Sequence, residues 1–133
     1  MYRYLFYKTY KGILRSGNYN EAPIFVSSIN VSIPIIFIIN SIGFVLERNK
    51  IISLDYYFNN KNLYYLGQGM ICLLIWFYNL YLVKYTDFVK KYDKKNGTIY
   101  QIPAWIITLF AYFISAGILL ISGLYNNHDW IFK

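Results

Sequence analysis

Charge is scarce in this chain. Of 133 residues only 14 % are Asp, Glu, Lys or Arg, where an ordinary soluble domain carries about 25 %. Cysteine and histidine occur once each. The lone Cys72 can close no intrachain disulfide and sits inside an apolar run, so it reads as a packed thiol and gives no redox compartment. The lone His128 stands beside Asp129 with no further ligand near it, and a metal site needs three or four ligands; no metal is expected. The sequence has no Cys-His pairing, no glycine-rich phosphate loop and no paired carboxylates within its apolar runs. Gly67-Gln68-Gly69 is too short for a dinucleotide fingerprint and reads as a close-packing site near a helix start. No catalytic residue and no cofactor are expected, and the chain is expected not to be an enzyme.

What is present is apolar surface: 57 % of residues are hydrophobic and 22 % aromatic, with 16 tyrosines. Three runs lack any charged side chain: residues 24–46, 63–83 and 103–125. At about 1.5 Å per helical residue, the roughly 30 Å hydrocarbon layer needs about 20 residues, so each run predicts a transmembrane helix. The expected fold is all-α, a single polytopic membrane domain over residues 1–133. The third run, opening on Pro103, is the one around which the rest is expected to be arranged. Its Ala104, Thr108, Ala111, Ser115 and Ser122 fall within about 60° on a helical wheel and form a shallow seam, which lets a neighbouring helix approach closely in lipid. Ser27, Asn30, Pro34 and Ser41 form the corresponding stripe on the first span, where a mid-helix Pro frees a carbonyl that Ser or Asn can satisfy. Gln68, Cys72 and Asn79 form the stripe of the second. These stripes predict helix packing.

Residues 1–20 place Leu5, Phe6, Tyr10, Ile13 and Leu14 on one side of a wheel and Lys8, Lys11 and Arg15 on the other. This predicts an interfacial amphipathic helix with a basic face toward headgroups, retained because no apolar signal core or small-residue cleavage pattern follows. Ser53 is a candidate cap for a short turn over 54–58. In residues 84–96 the spacing of Tyr85, Phe88 and Tyr92 predicts that the second span runs on as one long helix into the cytoplasm, with Lys90, Lys91, Lys94 and Lys95 at the membrane surface and Asn96-Gly97 as the stop. Trp130 and Phe132 in the short tail suit an interface.

Basic residues set orientation. Nine flank one side (Arg3, Lys8, Lys11, Arg15, Lys84, Lys90, Lys91, Lys94, Lys95) and four the other (Arg48, Lys50, Lys61, Lys133). The chain is therefore expected in the cytoplasmic membrane, multi-pass, with its N-terminus inside and C-terminus outside. The net charge of +7 flanks apolar runs, which predicts contact with anionic lipid and no nucleic acid. The opening Tyr2-Arg3-Tyr4-Leu5-Phe6-Tyr7-Lys8, with Tyr10 and Lys11, resembles the start of a group of small uncharacterised bacterial membrane proteins that place an aromatic and basic segment before a few spans. The resemblance covers about 20 residues and the layout, implies a bacterial membrane, and brings no activity. With no charge at membrane depth for ion coupling, two readings are left. The first is a structural or accessory subunit packing against itself or a larger membrane complex. The second is a pore-forming or membrane-disrupting effector of holin-like or abortive-infection type, in which neutral amides line an oligomeric pore.

Overall fold

A computed structural model describes residues 2–17, 22–94 and 101–127. Lys95, Asn96, Gly97, His128, Asp129, Trp130, Phe132 and Lys133 lie outside the described residues. The described elements are all helical: α1 (Tyr2–Ser16), α2 (Pro23–Arg48), α3 (Asp55–Asn59), α4 (Lys61–Tyr85), α5 (Phe88–Asp93) and α6 (Ala104–Asn126). Among them α2, α4 and α6 are long and apolar enough to cross a membrane. At about 1.5 Å per residue they extend roughly 34 to 39 Å, more than the hydrocarbon layer requires.

The ends of these helices follow local chemistry. Pro23 opens α2, where a missing N–H costs nothing. At its other end Lys50 takes a left-handed backbone (φ 56°), its N–H reaching the Glu47 carbonyl at 2.9 Å and that of Ile51 the Leu46 carbonyl at 3.0 Å, which is the Schellman closure usually built on glycine. Asn60 caps α4 by accepting from the Leu63 N–H at 3.3 Å. Ser53 does not cap the short helix; α3 starts after Leu54 and has no side-chain cap. Pro103 likewise sits one residue outside α6, with an extended ψ of 142°.

The second span does not run on as one helix. It stops at Tyr85, Thr86 turns extended (φ −127°, ψ 147°), and α5 begins after Asp87. Thr and Asp both favour local bonds over the helix interior: the Thr86 hydroxyl donates back to the Leu82 carbonyl, and the Asp87 carbonyl starts α5 by accepting from Lys91 N–H at 2.8 Å.

The centre of the molecule is α2, not the third apolar run. It packs against α6, α4 and α1, while the backbones of α4 and α6 stay apart. Where α2 and α6 begin and α4 ends, α1 lies across them and also meets α5. Its Phe6 is fully buried in a cluster with Tyr7, Val31 and Phe88, against which Leu5 and Tyr10 also pack, so this part of the apolar side expected to sink into lipid faces protein instead, while Leu14 at its end is exposed.

Candidate functional site: buried polar ties and a basic groove

Polar atoms at membrane depth need partners inside the protein, because hydrocarbon offers none. Pro34 has no N–H, so the Asn30 carbonyl one turn earlier in α2 loses its helical donor. The Tyr112 hydroxyl of α6 replaces it, donating to that carbonyl at 2.8 Å and approaching Asn30 Oδ1 at 3.4 Å. The freed acceptor is thus met by a tyrosine of another helix, not by the Ser or Asn of its own.

A second tie joins three helices. The Tyr2 hydroxyl of α1 donates to Asn79 Oδ1 of α4 at 2.6 Å, the Asn79 amide donates to Ser28 Oγ of α2 at 3.0 Å, and Ser28 donates to the Ile24 carbonyl at 2.7 Å. Asn79 and Ser28 are fully buried. A third tie sits toward the other end of α4: Gln68 Nε2 donates to Asn40 Oδ1 at 3.3 Å and to the Tyr57 hydroxyl at 3.2 Å, and Asn40 Nδ2 donates to the Tyr64 hydroxyl at 3.1 Å. Gln68 Oε1 is buried with no hydrogen-bond partner. Gly67 lets Tyr57 approach, since an added Cβ would meet its hydroxyl, whereas Gly69 has open space beside it.

The basic segments meet at one end of the bundle. Tyr7 donates to Asp93 Oδ1 at 2.7 Å, and Lys11 Nζ lies 3.0 Å from Asp93 Oδ2. The Tyr7 and Tyr92 rings stack 5.1 Å apart, and Phe6 stacks on Phe88 at 5.9 Å. The Tyr7 bond and, less strongly, Lys11 hold the Asp93 carboxyl below its ordinary range. Burial, with the same bond, pushes the Tyr7 hydroxyl up to about 12.

Beside α1 runs a groove of about 1130 Å³. Lys8, Lys11 and Arg15, spaced three and four apart and so on one helical face, line one part of it, and Trp105, Leu109 and Phe113 of α6 line another. Gly12 brings α1 close to α6: a Cβ added there would stand 3.0 Å from Ala104 Cβ. Thr9 and Thr108 hydroxyls meet nearby at 3.4 Å. Lys8 is not a surface residue. Only 7 % of it is exposed, because its face looks onto α6, and its Nζ donates to the Ile102 carbonyl at 2.9 Å. Burial, then the charge of Arg15, lowers its ammonium below the ordinary value.

No family model, curated protein or solved structure matches the chain. Among the described residues no group of His, Cys, Asp and Glu is arranged to hold a metal.

The stripe residues read from the sequence are placed as follows. Ser27, Pro34, Ser41, Asn79, Ser115 and Ser122 are buried, and Asn30, Gln68, Cys72, Ala104, Thr108 and Ala111 are half-buried. Most of their hydroxyls satisfy themselves: Ser27, Ser41, Thr108 and Ser115 donate to the carbonyl four residues back and Ser122 to the one three back. They therefore pack as small residues, Thr108 also meeting Thr9 of α1, and most of the interhelical bonds within the spans fall to Asn30, Asn40, Gln68 and Asn79. Lys90, Lys91 and Lys94 are exposed, Lys90 pairing loosely with Asp87 at 3.4 Å. The sequence reading missed the tyrosine partners: Tyr2 and Tyr112, whose hydroxyls donate, and Tyr57 and Tyr64, whose hydroxyls accept. The signal available for Tyr112 was its place four residues after Thr108, at the edge of the small-residue seam.

Proposed function

We propose that the chain is an integral membrane protein acting as a non-enzymatic structural or accessory subunit, through helix contacts with further copies or with a larger membrane complex. The observation that carries this is where the amides go. Asn30, Asn40, Gln68 and Asn79 all make hydrogen bonds within the chain, so the neutral groups that an oligomeric pore would need toward water are committed to holding helices together. The outward surface of α4 and α6 is apolar and aromatic, with Leu66, Leu74, Trp105, Phe110, Phe113 and Leu120 each about two-thirds exposed. Such a surface suits lipid or another helix and offers no groups for chemistry. In the same proposal the N-terminus is cytoplasmic and the C-terminus outside, in a bacterial cytoplasmic membrane. Arg3, Lys8, Lys11, Arg15, Lys84, Lys90, Lys91 and Lys94 all belong to the end of the bundle where α2 and α6 begin and α4 ends, which supports that orientation.

Two measurements test this. Induced expression should leave membrane potential intact; rapid depolarisation would overturn the accessory reading in favour of a pore. A reporter fused after Lys133 should read as exported and one inserted at Asn96 as cytoplasmic. The opposite pattern would overturn the orientation.

A further inference from the structure

The groove between α1 and α6 has two chemically different parts. Its basic part holds Lys8, Lys11 and Arg15; Lys11 pairs with Asp93 and Lys8 donates to the Ile102 carbonyl. Arg15 is exposed and makes no ion pair among the described residues. Lys8 bonds the carbonyl of Ile102, just before α6 starts, which places the cations at the membrane edge of α6. From there the lining becomes mainly apolar and follows α6 through Trp105, Leu109 and Phe113 to Ala116, its polar members Thr108, Tyr112 and Asn30 being hydrogen-bonded within the chain. Ala104 to Ala116 spans about 18 Å at 1.5 Å per residue, close to the roughly 15 Å of one leaflet's hydrocarbon. A cationic mouth continuous with an apolar channel of leaflet length matches an anionic headgroup carrying an acyl chain.

We propose that this groove binds one acidic phospholipid, its phosphate at Arg15 and Lys11 and one acyl chain along Trp105, Leu109 and Phe113. The assignment rests on the bilayer-embedded part of the functional reading but not on the accessory role, and its test is independent of the potential and topology assays. It differs from general adhesion of a basic helix to a charged surface, because the cations and the apolar channel belong to one cavity with a fixed stoichiometry.

Trp105 reports on the site. With Trp76→Phe and Trp130→Phe it is the sole indole of the full chain, which is reconstituted in phosphatidylcholine vesicles carrying small mole fractions of brominated phosphatidylglycerol or brominated phosphatidylcholine. The exposed Arg15 predicts a preference of about fivefold for the acidic lipid in a saturable part of the quenching. Arg15→Gln should lower that preference about fivefold, by removing one cation near the surface. Ala116→Phe, which fills the apolar end and leaves every charge in place, should remove the saturable part for both lipids. Excess inorganic phosphate should not displace the lipid. Quenching that follows mole fraction equally for both headgroups would overturn the proposal, as would a preference untouched by Arg15→Gln. Displacement by inorganic phosphate would mean a bare anion site, and crosslinks from Leu109 to a second copy with no lipid selectivity would mean a protein occupant; either result also overturns it.

Discussion

Replacing Tyr112 by Phe removes one hydroxyl and leaves the ring. In the native chain that hydroxyl is the donor to the Asn30 carbonyl at 2.8 Å, an acceptor whose helical partner Pro34 cannot supply. Interhelical hydrogen bonds in membranes average about 0.6 kcal/mol and reach about 1.7. This one also prevents a backbone acceptor from being stranded, so Tyr112→Phe is expected near the upper part of that range, about 1 to 2 kcal/mol. In a Pro34→Ala background residue 34 regains its N–H and can close the helical bond to Asn30. There Tyr112→Phe should cost less than about 0.5 kcal/mol, since the weak approach to Asn30 Oδ1 is all that is lost. The coupling between the two sites is then about 1 kcal/mol, roughly a fivefold change in the folding equilibrium. A double-mutant cycle on reversible unfolding, by SDS titration in mixed micelles, reads it directly. Equal costs in the two backgrounds would show that Tyr112 acts through its ring alone and that the proline carbonyl is met some other way.

Asn79→Leu should cost about 1 to 3 kcal/mol by losing both bonds of a fully buried amide, while Gln68→Leu, which also removes an unpaired buried oxygen, should cost clearly less in the same unfolding measurement. Gly12→Leu should push α1 away from Ala104 and weaken a crosslink between engineered cysteines on α1 and α6. Gly117→Ala, with nothing near its added Cβ, should be neutral or stabilising by up to about 1 kcal/mol. The docking of α5 on α1 should hold across a pH plateau. Asp93 is depressed in the folded state, so its contribution is present above the ordinary carboxylate range near 4 and lost as pH falls through the lowered value; Tyr7 is raised to about 12, so its contribution is present below about 10 and lost as pH rises toward 12. Hydrogen exchange of α5 followed against pH should show both limbs, with Asp93→Asn removing the acid one while leaving the burial-driven part of the alkaline one, and Tyr7→Phe removing the alkaline limb together with most of the acid one, whose main cause is the Tyr7 bond.

The three long helices were legible because charge-free length is a one-dimensional property, and residues 24–46, 63–83 and 103–125 differ from α2, α4 and α6 by one or two residues at each end. Their arrangement was not. All three runs look alike in length and apolarity, and nothing in a run says how many neighbours it has. The clue to α2 as the centre was the spread of its polar residues. Ser28 and Ser32 lie on roughly the opposite side from Asn30 at 100° per residue, yet both are fully buried, so this part of α2 is covered on two opposite sides. Reading a single stripe discarded that information. The wheel of α1 grouped Lys8 with Lys11 and Arg15 correctly as a face but could not name what the face meets. The break at Thr86-Asp87 was signalled by two weak helix formers; the periodic aromatic pattern across it outweighed them, although Phe88 keeps its place in the pattern by starting a new helix. The groove needed α1 and α6 side by side, about 90 positions apart in sequence, and no local pattern carries such a pairing.

The separation of the α4 and α6 backbones decides how the molecule can be divided. Among the described helices the backbone of α6 comes close only to those of α1 and α2. A backbone cut between residues 94 and 101 would therefore leave the described helices of both pieces whole, one piece carrying α1 to α5 and the other α6. Co-expressed as separate polypeptides, the two pieces should find each other in the membrane and co-purify, held by the Tyr112 hydroxyl, the Gly12 approach and the Asn126–Glu47 bond at 3.2 Å. A cut between α2 and α4 is different in kind: it parts the hub from a helix whose amides anchor both α1 and α2, so reassembly there must rebuild the Tyr2–Asn79–Ser28 tie across two independently inserted chains.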